Sequence, residues 1–295
     1  MRIFKPPSYE ARRQRRPSIP RTRALVILAA GALTSFCLVA TLRILAETSF
    51  DYPLILAANT FARRSRIVDH ALQAVATFDL FQGLPIVALA CGAFFATPDG
   101  RERVRLAAGI IAASGAAILS RLLQFLMPSL SRPTVDPALP FRRPYGGSPD
   151  WWRDWSSFPS DHATLLWGMT FAILMANRRI GALAVLVATL SSISRFYCGL
   201  HYATDLVGGA LLGIAVVCAC LVGSEPWEER LLSGAKQRPA LVATLAFLIG
   251  AQAATFFHDL RGIAETTART VKDITAVSSR DRPAPARSGE GPLPR

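Results

Sequence analysis

The chain has 295 residues, of which 51% are hydrophobic, and a positive mean hydropathy of +0.32. The apolar residues fall in long blocks that a soluble domain of this length does not need, which excludes an ordinary soluble globular protein. The formal charge of +13 would suit a nucleic-acid-binding protein, but eight Lys or Arg lie in the first 23 residues, directly before an apolar block. This placement is typical of a cytoplasmic flank, so no nucleic-acid partner is expected.

Apolar segments nearly or wholly free of charge recur along the chain. Several reach the roughly 20 residues that span a bilayer as a helix, and the shorter ones reach it with their polar flanks. They comprise residues 24–46, 80–96, 106–127, 163–176, 180–193, 203–222 and 240–257. We therefore predict an all-α, polytopic membrane helical bundle of about seven transmembrane helices.

A cytoplasmic N-terminus fixes the side on which each connecting segment lies. The segments predicted to be cytoplasmic all carry Lys or Arg, namely residues 98–105, 177–179 and 223–238. Those predicted to lie outside are residues 47–79, 128–161 and 199–202. In the first of them, residues 53–75 have a partly amphipathic pattern that predicts an interfacial helix, and its lone His70 is interpreted as structural or solvated.

The second outer segment combines interfacial aromatic residues with a helix start. Trp151, Trp152 and Trp155 suit a membrane–water interface. Ser160 occupies an N-cap position before the span, and His162 follows two residues later. Free backbone N–H groups and the helix dipole at such a start favour a phosphate group. The alternative is that Pro-Ser-Asp is only a capping signal and His162 a surface residue.

A second cluster of polar residues lies at the outer rim of two adjacent spans, within residues 194–205. His201 and Asp205 are four residues apart and share one face if a helix begins at or just before His201. Asp205 can then accept a hydrogen bond from one imidazole nitrogen and leave the other free to attack. Because a charge just inside a span is costly, Asp205 is a candidate functional residue.

Together these residues resemble the type 2 phosphatidic acid phosphatase superfamily, which includes bacterial undecaprenyl-diphosphatases and is related to vanadium haloperoxidases. The family signature has three parts: a basic residue followed by Arg-Pro; Pro-Ser-Gly-His; and Ser-Arg, five residues, His, three residues, Asp. The third part is matched by Ser194, Arg195, His201 and Asp205. The second is matched by Pro159, Ser160 and His162, with Asp161 in place of Gly.

The first part of the signature departs from the usual Lys, six residues, Arg-Pro. The residues seven positions before Arg132 and Arg143 are Phe125 and Asp136. The best substitute for the Lys is Arg121, with ten residues between it and Arg132-Pro133. Arg can replace Lys as a phosphate ligand and adds a bidentate fork. Arg142 or Arg143 could compete for this role.

The resemblance implies a role for each matched residue. His201 would attack phosphorus and form a phosphohistidine, Asp205 would orient it, and His162 would act as general acid and then activate water. The phosphate ligands implied are Arg121, Arg132, Ser160 and Arg195. No metal or other cofactor is required, and the four His, at positions 70, 162, 201 and 258, do not form a ligand cluster in the sequence.

The resemblance also implies a six-helix phosphatase core, here with a seventh, C-terminal span. The chain then divides into a basic cytoplasmic tail (1–23), the membrane core (24–222), a cytoplasmic loop with the extra helix (223–258) and a largely disordered tail (259–295). The implied location is the cell (inner) membrane, with the active site on the periplasmic or extracellular side and the N-terminus in the cytoplasm. No oligomeric state is predicted.

The expected substrate is a lipid phosphate or diphosphate that enters from the bilayer. Undecaprenyl (polyprenyl) diphosphate comes first, because Phe-Pro-Ser-Asp-His at residues 158–162 resembles that branch, and phosphatidic acid or a phosphorylated glycolipid comes next. One open alternative is phosphotransfer to another lipid or sugar by a member of the same family. Another is a catalytically inactive transporter or structural membrane protein, although the inverted repeats and broken spans of many transporters are not evident.

Overall fold

The computed structural model describes residues 21–45, 50–147, 156–224 and 228–256. Several sequence predictions lie outside these described residues: the basic tail up to residue 20, the three Trp at 151, 152 and 155, and the tail from residue 259. All regular secondary structure within the described residues is helical, which confirms the all-α class.

The described residues form ten α-helices and one short 3₁₀ turn. In chain order they are α1 (Arg21–Leu45), α2 (Asp51–Asn59), α3 (Arg66–Thr77), the 3₁₀ turn Asp79–Phe81, α4 (Gly83–Ala96), α5 (Gly100–Leu126), α6 (Asp161–Ala176), α7 (Arg178–Tyr197), α8 (Ala203–Ser224), α9 (Glu228–Gln237) and α10 (Pro239–Ala254).

Each predicted span coincides with one of these helices. Five described segments are long and apolar enough to cross a membrane: Arg21–Leu45, Asp79–Ala96, Gly100–Leu126, Arg178–Tyr197 and Ala203–Gly223. The two remaining helices, α6 and α10, have 16 residues each. They are shorter than the roughly 20 residues of a full span, so the count of seven stays a prediction.

The prediction of a single helix over residues 53–75 is wrong, because the structure has two helices, α2 and α3, in this segment. Tertiary contacts interrupt the helix. The Asn59 side chain exchanges hydrogen bonds with the backbone of Arg142, at 2.7 and 2.8 Å. Arg63 then adopts a positive φ of 66°, and the Ser65 hydroxyl accepts from the Val68 N–H at the start of α3.

The centre of the bundle is formed by α6 and α8, which pack against each other, with α1 and α5 against α8 and α7 against α6. Glycine allows α8 to approach the start of α6. A Cβ on Gly209 would lie 2.4 Å from the Ser160 carbonyl oxygen, and one on Gly213 would lie 2.2 Å from that of Thr164. This contact brings the amino end of α6 against the first turns of α8, where the two sequence motifs lie.

The charged residues of the spans collect near the helix ends. At the amino end of α5, Glu102 pairs with Arg21 and Arg105, and Arg105 also pairs with Glu228. The matched residues of the motifs lie at the opposite ends of α5 and α7 and at the starts of α6 and α8. The helical connectivity therefore gathers the predicted site residues at one end of the bundle.

Candidate active site

His201 lies in the tight turn between α7 and α8 and is fully buried. Gly199, with a φ of +71°, makes this turn possible. The His201 Nδ1 atom lies 3.0 Å from the Ser157 carbonyl oxygen. Because a carbonyl can only accept, Nδ1 carries the proton and the lone pair is on Nε2. The imidazole therefore presents Nε2 as a nucleophile.

The surroundings of His201 keep the ring neutral. Burial, with a further contribution from the Arg132 guanidinium, lowers the pKa of His201 to about 4. At neutral pH the imidazole is therefore unprotonated at Nε2. A neutral histidine with an oriented ring is the state that nucleophilic attack on phosphorus requires.

Arg132 provides the positive charge beside the nucleophile. One of its terminal nitrogens lies 3.2 Å from His201 Nε2 and donates to the Leu200 carbonyl at 2.6 Å. The other donates to the Ser156 carbonyl at 3.4 Å, and the buried Nε has no hydrogen-bond partner among the described residues. Burial lowers the pKa of Arg132 to about 10, so the guanidinium remains charged at neutral pH. It is suited to hold an anion in front of Nε2.

Asp205 is fully buried near His201, but its hydrogen bonds go elsewhere. Its two carboxylate oxygens accept from the Tyr202 N–H at 2.8 Å and from the Arg43 Nε at 3.2 Å. The distance from Asp205 to His201 Nδ1 is 3.8 Å. The Ser157 carbonyl thus takes the hydrogen-bonding position that the sequence assigned to Asp205, and Asp205 is a nearby negative charge.

The second motif forms the start of α6. Ser160 is its N-cap, as predicted, with the hydroxyl accepting from the Ala163 N–H. The Ser160 N–H donates to the Asp205 backbone carbonyl at 3.0 Å, which joins the two motifs. Asp161, which stands in place of the family's Gly, lies 2.9 Å from His162 Nδ1 and 3.4 Å from Arg121. Asp161 therefore orients the His162 ring and partly neutralises Arg121.

Arg195, on the last turn of α7, is hydrogen-bonded to α3 and to the residue before α4. It is 5% exposed and donates to the Ala76 carbonyl at 2.9 Å and to Gln82 at 3.3 Å. Its charge also contributes to the lowered pKa of His201, after burial and Arg132. The structure thus groups His201, Arg132, Asp205 and Ser160 in one network, with Arg195 bordering it.

Sequence reasoning missed three participants. Arg43, in a span treated as nearly free of charge, pairs with Asp205, and the Ser157 carbonyl sets the tautomer of His201. Phe256, just beyond α10, stacks on His162 with 4.2 Å between ring centroids. Only Arg43 carried a detectable signal, since an arginine inside an apolar segment indicates a function or a buried partner.

The fold and the site together define a helical membrane protein whose site is built on a histidine and an arginine. The comparison with known proteins agrees with this class. Residues 108–227 match the family described as the PAP2 superfamily. This match confirms the resemblance inferred from the motifs.

Three curated relatives match shorter stretches. The chain is 41% identical over 59 residues to the bacitracin transport permease protein BcrC of Bacillus licheniformis. It is 38% identical over 61 residues to undecaprenyl-diphosphatase BcrC of Bacillus subtilis, and 36% identical over 73 residues to the putative undecaprenyl-diphosphatase YbjG of Escherichia coli. These matches cover 20–24% of this chain and 29–35% of the relatives, so the chain spans about a third of their length.

One solved structure is also similar: the crystal structure of the first transmembrane PAP2 type phosphatidylglycerolphosphate phosphatase from Bacillus subtilis. It is 21% identical, with a TM-score of 0.46, over 65% of this chain and 93% of that one.

Proposed function

We propose that this chain is an integral membrane phosphatase that hydrolyses a lipid phosphate or diphosphate through a phosphohistidine on His201. The observation that carries the proposal is the state of His201. Its Nδ1 is hydrogen-bonded to the Ser157 carbonyl, its pKa is held near 4, and its Nε2 faces the Arg132 guanidinium at 3.2 Å. A neutral nucleophile beside a fixed cation is suited to attack on an anionic phosphoryl group.

The first chemical step forms the phosphoenzyme. Nε2 of His201 attacks phosphorus while the bond from phosphorus to the leaving oxygen breaks, and His162 gives that oxygen a proton. The phosphorylated ring keeps its Nδ1 proton and gains positive charge, which the Asp205 carboxylate 3.8 Å away stabilises. Arg132 neutralises charge on the nonbridging oxygens as the transition state develops.

The second step regenerates the histidine. Water attacks phosphorus and transfers a proton to His162, while the electron pair of the nitrogen–phosphorus bond returns to His201 Nε2. Ser160 at the start of α6, together with Arg195 and Arg121, is proposed to complete the phosphate site. Arg121 would divide its guanidinium between the phosphate and Asp161, with which it already pairs at 3.4 Å.

Undecaprenyl diphosphate is the proposed substrate, with phosphatidic acid as the second candidate. One of the matched relatives is named an undecaprenyl-diphosphatase, and another is named a putative undecaprenyl-diphosphatase. The sequence Phe-Pro-Ser-Asp-His at residues 158–162 supports the same branch.

The test is phosphate release from purified protein, with undecaprenyl diphosphate and phosphatidic acid supplied in parallel and His201→Asn as the control. We expect the wild type to release phosphate, and to prefer the diphosphate, while the variant is inactive. Acid-stable trapping is not expected for a phosphohistidine, so the labelled enzyme should be captured at alkaline pH. Activity that survives in His201→Asn would show that another group is the nucleophile, and a wild type inactive on both lipids would overturn the phosphatase function.

We further propose that the active-site end faces the outside of the cell membrane and that the N-terminus is cytoplasmic. The segments with Lys or Arg between the spans support this orientation. Cysteine labelling of intact cells, in a background without the native cysteines, tests it at two exposed positions, Arg142→Cys near the site and Arg178→Cys at the other end. An impermeant maleimide should label only the former, and the reverse pattern would invert the topology.

A transport function is the second candidate, because one matched relative is named a bacitracin transport permease. In that case the rim residues would bind an anion without chemistry. Phosphate release by the purified protein in detergent distinguishes the two, since transport needs two compartments and hydrolysis does not.

A further inference from the structure

We propose that Arg43, on the first span, is a positioning residue for the phosphatase reaction and acts through Asp205. The inference rests on the proposed function of His201. Arg43 lies outside the segment matched to the family, near the carboxyl end of α1.

Burial of the charged Arg43 side chain carries a free-energy cost. Its side chain is 1% exposed, in a helix otherwise composed mostly of apolar residues. An arginine at this position is expensive unless hydrogen bonds and an opposite charge compensate for it. The compensation comes from the site itself: Arg43 Nε lies 3.2 Å from Asp205, and the guanidinium also reaches the Ser157 hydroxyl at 3.2 Å.

Asp205 and Ser157, two of the partners of Arg43, also lie beside the nucleophile. The Ser157 backbone carbonyl is the acceptor for His201 Nδ1, and Asp205 is the carboxylate nearest to that nitrogen, at 3.8 Å. Arg43 thus joins the two groups that set the tautomer and the charge of His201. A displacement of either group would move the imidazole or change its electrostatic surroundings.

Further contacts hold the Arg43 side chain in place. Its guanidinium lies over the Tyr202 ring, with 4.7 Å to the centroid. A second carboxylate, Asp51, lies 3.9 Å from Arg43 Nε and accepts a hydrogen bond from the Thr204 N–H at 3.1 Å. Arg43 is therefore held by a stacked ring and two carboxylates, and it holds Asp205 in one orientation as the charge on His201 changes.

The test compares Arg43→Met and Arg43→Lys in purified full-length protein, with undecaprenyl diphosphate as substrate. Arg43→Met should lower kcat by about 10- to 100-fold with little change in KM, the range seen for residues that orient the ligands of metal sites. Arg43→Lys restores the charge without the planar fork, so it should recover part of that loss.

Double variants distinguish a role through Asp205 from a general structural role. In an Asp205→Asn background, Arg43→Met should lower kcat by a further factor of less than about three, because the carboxylate that Arg43 positions is already lost. Arg105→Met is the matched control, since Arg105 is another arginine in a span that forms an ion pair. The helical rise places it about 24 Å along α5 from Arg121, at the other end of that helix. It should keep wild-type kcat.

Each outcome bears on one of the two claims. The role of Arg43 would be overturned if Arg43→Met kept the wild-type kcat. It would also be overturned if the double variant lost kcat by the product of the two single losses. Either result would leave the phosphatase function in place. An equal impairment in Arg105→Met would overturn that role as well. A wild type that releases no phosphate from any lipid phosphate overturns the phosphatase function, and the role of Arg43 with it. Thermal unfolding in detergent checks that each variant is folded.

Discussion

The ring of Phe256 stacks on the imidazole of His162, with 4.2 Å between centroids and 24° between the planes. Phe256 follows α10, the helix predicted in addition to the six-helix core. The end of α10 also approaches α4 closely, because a Cβ on Gly83 would lie 1.8 Å from the Ala254 carbonyl oxygen. The added helix thus contributes a wall to the site of the candidate general acid.

Phe256→Ala should lower kcat by roughly 2- to 10-fold. A stacked aromatic pair contributes about 0.5–1.5 kcal/mol, and its loss frees the His162 ring to leave its orientation. Phe256→Trp retains a stacking face and should stay near the wild-type rate. Phe247→Ala, at a 73% exposed position of the same helix, is the control. Steady-state kinetics give the answer, and Phe256→Ala with wild-type kcat would show that the stack does not orient His162.

The motifs predicted which residues form the site better than they predicted the contacts between those residues. His201, Asp205 and Ser160 are found together because their spacing is local and the helices that carry them are adjacent in the chain. The Arg43–Asp205 pair joins residues 162 positions apart, and no local pattern encodes such a contact. The Ser157 carbonyl was not predictable either, since any residue supplies a backbone acceptor.

The fold shows the same division between local and distant information. The apolar segments located the spans because hydrophobicity is a property of each segment alone. The break between α2 and α3 was missed because it depends on Asn59 bonding to the backbone of Arg142, a distant loop. An amphipathic pattern predicts one helix across such a break.

The buried His201 should make folding stability depend on pH. Burial lowers the pKa of His201 from 6.5 to about 4, so the unfolded chain binds the proton more readily than the folded one between these values. Stability is unaffected above about pH 6.5 and falls as the pH drops toward 4, by up to roughly 3 kcal/mol. Thermal unfolding in detergent should therefore show wild type losing stability relative to His201→Gln over this range. A constant difference between the two proteins would contradict the buried neutral state.

Two glycines of α8 should contribute to folding stability, because they allow that helix to pack closely against α6. An alanine at position 213 would place its Cβ 2.2 Å from the Thr164 carbonyl oxygen, and one at 209 would lie 2.4 Å from that of Ser160. Gly213→Ala and Gly209→Ala should each lower the free energy of unfolding by about 1–3 kcal/mol, because the added methyl group would force the backbone of the two helices apart. Gly209→Ala should also reduce activity, since it displaces the start of α6. Gly115→Ala, with nothing within 4 Å, should be neutral or slightly stabilising in the same unfolding assay.

The first motif can be resolved by comparing its two arginines. Arg132 lies 3.2 Å from His201 Nε2, whereas Arg121 contacts Asp161 at 3.4 Å and Gln124 at 2.8 Å. Arg132→Met should therefore lower kcat/KM by about 10²- to 10³-fold, the cost of removing one preorganised donor. Arg121→Met should lower kcat/KM by only about tenfold, because Arg121 divides its guanidinium between the phosphate and Asp161.

Arg132 leaves a second signature, in the pH profile. Its positive charge, after burial, is a cause of the lowered pKa of His201, so its removal should raise that pKa. The acid limb of kcat/KM should then move to higher pH in Arg132→Met and stay in place in Arg121→Met, while Arg132→Lys keeps the charge and the wild-type limb. If Arg121→Met proves the more damaging variant and shifts the limb, Arg121 and not Arg132 is the cation that faces the nucleophile.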